Sequence, residues 1–199
     1  MGKPRIARGV AVAASLCLAV GGGACTVEQK SGSESRPATF GFGRQATDAE
    51  IKACDIDVMP DGAGLPPGSG TAAQGAVIFA KKCAMCHGAT GREGPFNRLV
   101  GREPREGFPF GRDPKLERTV GNYWPYATTV YDYINRAMPL PAPGSLTPEE
   151  VYSLVAWLLV QNGIIPADAV MNAQTLPLVK MPARDRFVED NRQGGPEIR

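Results

Sequence analysis

The apolar positions of this chain fall into three helical stretches separated by long runs of Gly, Pro and polar residues. "TAAQGAVIFAKKC" (71–83) spaces its apolar residues for one buried stripe, with Val77, Ile78 and Phe79 at its centre. "YATTVYDYINRAM" (126–138) has the spacing of a second helix, and "LPAPGS" after it breaks the pattern. "LTPEEVYSLVAWLLVQNG" (146–163) carries the strongest signal. Thr147 suits the N-cap, Pro148 the first turn and Glu150 the third position of a capping box. Val151, Leu154, Val155 and Leu158 then follow at i, i+3, i+4 and i+7, and Gly163 is a natural stop. Residues 88–125 read as loop, and no stretch gives a convincing strand signal or an internal repeat. The expectation is a small all-α domain over 71–165 with an arm at each end.

The arms differ from the domain in pattern. Residues 26–45 are polar and rich in Gly and Ser, a tether. Residues 47–70 open with a short capped turn and end in "GAGLPPGSG", which suits an extended strap on the domain surface. Residues 166–199 have little periodicity and read as a surface wrap. At the front, Lys3, Arg5 and Arg8 precede the apolar run "VAVAASLCLAV", too short for a membrane span, and the small residues "GGGAC". This is the layout of an export signal over 1–24. Cleavage before Cys25 would leave a cysteine open to lipid attachment, and so a membrane anchor, although Gly22 stands where lipoprotein signals carry Leu. Ordinary cleavage nearby would leave a free periplasmic protein.

Charge adds little. The formal net charge of +2 gives no pull toward nucleic acid. Removing residues 1–24 takes away three basic residues and no acid, so the balance of 22 basic against 20 acidic residues turns slightly acidic. The five cysteines do not form an even disulfide framework. Cys17 and Cys25 belong to the signal and its cleavage site, and Cys54 reads as a buried, inert thiol.

Cys83 and Cys86 stand in "CAMCHG" with His87 directly after them. Three chemistries share a Cys-x-x-Cys. Structural zinc needs four ligands, and the other cysteines are remote. A thioredoxin-like redox pair needs a βαβ setting, which is absent. Haem attachment needs two thiols spaced to add to two vinyl groups of one porphyrin, with an adjacent histidine to lie under the iron. The C-x-x-C-H reading therefore predicts one covalently attached haem c, with His87 as an iron ligand.

His87 is the sole histidine, which excludes a second histidine on the iron and leaves none for acid–base work beside it. Methionine opposite histidine is a common electron-transfer pair and raises the reduction potential. Met85 lies inside the attachment loop and cannot reach the other face. Met138, between the second and last helices, is the choice for the sixth ligand, with Met181 of "KMP" as the alternative. Trp124 and Tyr126 in "NYWPYATT" are read as aromatic cover for a haem edge or its propionates, with core packing as the plainer role. Arg102 is read as a propionate partner or a surface residue.

"GAVIFAKKCAMCHG" together with "GPFNRLVGR" (94–102) resembles the class I c-type cytochromes over about 71–165. The resemblance implies that Gly75 and Phe79 pack against an aromatic of the last helix, here Trp157. It also implies that the Pro95 carbonyl accepts a hydrogen bond from the ligand histidine. "DIDVMPDGAGLPPGSG", "VGNYWPYATTVYDYINRAMPLPAPGSLTPEEVY" and "LPLVKMPARDRF" are similar to the cytochrome subunits of sulfite and sulfur dehydrogenases. That likeness implies a periplasmic electron-accepting subunit beside a molybdopterin subunit, passing electrons to a downstream cytochrome or oxidase. Relatives of this kind suggest an aromatic residue at the position of Cys54. A freestanding shuttle to a terminal oxidase is the alternative function, and a haem enzyme with an open iron is a third.

Overall fold

The computed structural model describes residues 41–188. The expected export signal, Cys25, most of the tether and the last residues of the tail lie outside them. The chain divides into two units, Met1–Gln45 and Ala46–Arg199. Of the first, residues 41–45 are described, and all are exposed. The second carries the helices and the core.

That second unit is mostly helical. Helix α1 (Asp48–Cys54) is followed by a short strand β1 (Ser69–Thr71) and helix α2 (Ala72–Lys82). A single turn, α3 (Ala84–His87), holds the cysteine–histidine motif. Helices α4 (Ala127–Ala137) and α5 (Pro148–Gln161) come next, then strand β2 (Val170–Asn172). The three sequence-predicted helices match α2, α4 and α5 to within a residue or two at each end.

Their ends follow from local chemistry. Thr71 and Gln74 form a capping box on α2, and Thr147 and Glu150 form one on α5. Such caps satisfy amide groups that the first turn leaves unpaired. Gly163 sits at φ 63° just past α5. Its amide donates to the Val160 carbonyl at 2.8 Å, and the Ile164 amide to that of Leu159 at 2.9 Å. This Schellman pair ends the helix where the sequence placed the stop.

The core is the crossing of α2 and α5. Phe79 and Trp157 stack with ring centroids 3.9 Å apart. Gly75 lies so close to α5 that a Cβ there would sit 2.0 Å from the Ser153 carbonyl oxygen. The buried face of α2 is therefore Ala72, Gly75 and Phe79. Val77, expected in the stripe, is 55% exposed. The apolar count alone centred the stripe on 77–79, but the close approach at Gly75 turns the i, i+3, i+7 face inward instead.

Both arms join this core. Val58, Met171, Leu176 and Met181 are buried within the same cluster as Phe79 and Trp157. The Val58 amide donates to Asp132 Oδ1 at 2.9 Å, Thr128 Oγ1 to the Pro60 carbonyl at 3.0 Å, and Tyr152 Oη to the Pro66 carbonyl at 2.8 Å. No strand was expected, yet β1 and β2 pair antiparallel, with Gly70 opposite Met171. Three-residue strands are too short to show a period of two. Phe187 packs its ring against Phe108 and Tyr123, which fastens the C-terminal segment to the loop before α4.

Cys54 is exposed at the end of α1, a helix that buries no residue, so the expectation of a buried thiol is corrected. The capping box of Thr47 and Glu50 forms this helix locally without tertiary cover.

Substituting Gly75 by Ala should force α2 and α5 apart, because the obstacle is backbone and cannot rotate away. The expected loss is about 1–3 kcal/mol, read as a lowered Tm. Gly111→Ala, at a site with no atom within 4 Å of the added Cβ, is the control expected to change Tm little.

Candidate functional site

The motif begins where α2 ends. Cys83 is the C-cap of α2, and its carbonyl accepts from the amides of Cys86 and His87 at 3.1 and 3.0 Å. One helical turn thus presents two sulfurs and an imidazole from a fixed root. Cys83, Cys86 and His87 are all half-buried, and both thiols are free. Burial pushes the Cys83 thiol up to about 11, with Lys82 opposing the rise and Cys86 adding to it. A protonated thiol is a poor nucleophile at neutral pH.

His87 is oriented through one ring nitrogen. Its Nδ1 lies 2.8 Å from the carbonyl oxygen of Asn97. A carbonyl only accepts, so Nδ1 carries the proton and Nε2 keeps its lone pair for a metal. The resemblance implied Pro95 as this acceptor. The structure corrects that to Asn97: the turn advances two residues further before a carbonyl faces the ring, and Pro95 itself is exposed. The turn fits closely under the motif. A Cβ at Gly94 would lie 2.1 Å from the Cys86 carbonyl oxygen, and the Phe96 amide donates to that same oxygen at 3.1 Å.

Behind the turn runs a buried polar network that the sequence did not reveal. Asn162, 2% exposed, accepts from the Gly101 amide at 2.9 Å and donates to the carbonyls of Leu158 and Leu99 at 2.8 and 3.3 Å. Thr119 Oγ1 donates to the Gly101 carbonyl. Asn122 accepts from the Thr119 amide and donates to the carbonyls of Glu103 and Glu117. The only sequence signal was an Asn before the helix-stopping Gly163, which is common at helix ends without any such role.

The remaining site residues lie as follows. Met138 is the C-cap of α4, half-buried and packed against the core. Met181, its alternative as ligand, is 3% exposed inside the core cluster. Trp124 is half-buried and donates Nε1–H to Thr129 Oγ1 at 2.8 Å. Its polar tip is therefore already paired within the protein. Tyr126 begins α4, with the Arg184 guanidinium 3.9 Å from its ring centroid. Arg102 donates to the Gly163 carbonyl at 3.2 Å, while its Nε is buried and without a hydrogen-bond partner among the described residues.

These residues suit a covalently held haem. Two adjacent sulfurs and an imidazole with a free Nε2 form one end of the site. Partly buried Leu99, Trp124 and Met138 give an apolar fringe beside the core. The buried Arg102 Nε–H lacks an acceptor, and a propionate oxygen would supply one. Asn162→Ala should leave the Gly101 amide unpaired in the interior. A loss of about 1–3 kcal/mol is expected, measured by denaturant unfolding.

Residues 70–158 match the family model described as cytochrome c oxidase, cbb3-type, subunit III. A search of curated proteins found no match. Among solved structures, a chain of the sulfane dehydrogenase SoxCD from Paracoccus pantotrophus is similar, with 39% sequence identity and a TM-score of 0.66. The likeness covers 77% of this chain and 74% of that one.

Proposed function

Since this chain belongs to the c-type cytochromes and carries one covalently attached haem c, we propose that it is the electron-accepting subunit of a periplasmic molybdenum-dependent sulfur dehydrogenase. The observation that carries this reading is the extent of the likeness to the sulfane dehydrogenase chain. It takes in 77% of the present chain, well beyond residues 70–158, so it includes segments of the arms as well as the haem domain. Stretches of both arms, together with residues 120–152 of the domain, are also where the sequence resembles the cytochrome subunits of sulfite and sulfur dehydrogenases.

The bound haem supplies reversible one-electron chemistry at its iron. The chain's own residues set the conditions for it. Cys83 and Cys86 would hold the ring through thioethers. His87 offers Nε2 while Asn97 fixes its tautomer. Met138 is the proposed sixth ligand, because it ends α4 at the edge of the core, whereas Met181 is enclosed among core side chains. Arg102 is proposed to neutralise a propionate. A methionine ligand beside the histidine would raise the potential and close the iron to substrates, which suits electron transfer. Export by residues 1–24 and an anchor at Cys25 would place the subunit in the periplasm, with a downstream cytochrome or oxidase as the electron acceptor.

Two experiments test the reading. Sulfite or a sulfane-sulfur donor is added to protein purified gently from its native host, and the haem absorption is followed. Rapid reduction, lost once a co-purifying large subunit is stripped away, is expected. Reduction by a general donor alone, with no large subunit present, would instead leave a freestanding shuttle. Met138→Ala should convert a low-spin ferric spectrum to a high-spin one, and an unchanged spectrum would remove Met138 as ligand.

A further inference from the structure

The peptide unit joining Asn97 to Arg98 is hydrogen-bonded at both ends. Its carbonyl oxygen faces His87 Nδ1 at 2.8 Å. Its N–H donates to Glu117 Oε1 at 3.4 Å. A single amide therefore stands between a carboxylate and the ring of the axial histidine. Glu117 is rooted by the same network that braces the turn, because its own carbonyl accepts from Asn122 Nδ2 at 3.1 Å. Arg98 completes the arrangement. Its Nε donates to the Val100 carbonyl at 2.9 Å, and its Nη1 lies 3.9 Å from Glu117 Oε2.

We propose that Glu117 is a positioning residue for the axial histidine, acting through the Asn97–Arg98 peptide to strengthen His87 as an iron ligand and hold the reduction potential down. The amide is a resonance hybrid, so an anion at its N–H places more negative charge on its oxygen. That oxygen then draws harder on the Nδ1 proton. The imidazole gains imidazolate character, and Nε2 becomes a stronger donor, which favours ferric over ferrous iron. No proton changes owner in this relay. The bond from Arg98 to Glu117 is long and reached by solvent, so the effect is a trim on the potential rather than its main determinant.

A purely structural tie would not move the potential, and a purely through-space charge would move it less in high salt and without moving the Nδ1 proton resonance. The test is Glu117→Gln in the haem-loaded protein, which keeps an acceptor of the same shape and removes the charge. The ratio of ferrous to ferric protein at a fixed solution potential should rise about threefold, or about 30 mV at 59 mV per tenfold. The rise should persist in about 1 M salt, where the screening length is about 3 Å. The His87 Nδ1 proton resonance of the ferrous protein should move upfield as its hydrogen bond weakens. Glu117→Ala, which removes the acceptor too, should move both further, and an unchanged absorption spectrum checks that the fold is intact. An unchanged potential, or a shift that disappears in high salt with the proton resonance unmoved, overturns the proposal.

Discussion

The contact on which the rest of this molecule depends is the crossing of α2 over α5 at Gly75. A carbonyl of α5 occupies the volume that a side chain at 75 would need, and Phe79 lies on Trp157 just beyond it. Close approach of two helix backbones fixes both their spacing and their angle. It also fixes the single turn that follows α2 directly, with Cys83 as the joining residue, and bears Cys86 and His87. The placement of the motif is inherited from the crossing and owes little to the loop itself.

The other side of the imidazole is fixed from the far end of α5. Asn162 caps that helix and reaches back to residues 99 and 101, only a few positions after the carbonyl that faces His87. One helix thus braces both the turn that bears His87 and the segment whose carbonyl orients its ring. Burying amides in such a network is costly unless every partner is supplied. Asn162, Thr119 and Asn122 together satisfy backbone groups of Leu99, Gly101, Glu103, Glu117 and Thr119 in a loop whose only helical piece is the short 3-10 turn Pro109–Gly111. A haem protein benefits from this, since motion of the axial histidine between oxidation states adds to the cost of each electron transfer.

What the sequence disclosed was mainly periodic or covalent. α4 and α5 were legible from apolar spacing, and the caps Thr147 and Glu150 from their chemistry. The motif Cys83, Cys86, His87 was legible because thioether attachment demands that spacing. The inward face of α2 was not, since Gly75 contributes no hydrophobicity and its importance lies in what it leaves out. The histidine's acceptor was assigned to Pro95 and lies at Asn97, because a backbone carbonyl carries no side-chain signature. The paired strands escaped notice for the same reason: three residues pair through main-chain groups that every residue has.

The arms raise a different point. Read as sequence they are aperiodic straps, but Val58, Met171, Leu176 and Met181 lie in one core with Phe79 and Trp157. Burying each of these apolar side chains contributes on the order of 1.5–3 kcal/mol, comparable with a large share of a small domain's net stability. A segment so engaged serves the domain before it serves any partner. Other parts of the arms stay outside the core. Helix α1 is the clearest of them, with Ile51 and Cys54 exposed and acidic residues Asp48 and Glu50 in its first turn. The division between core and surface therefore runs within each arm, residue by residue, and not at the boundary where the helical pattern begins.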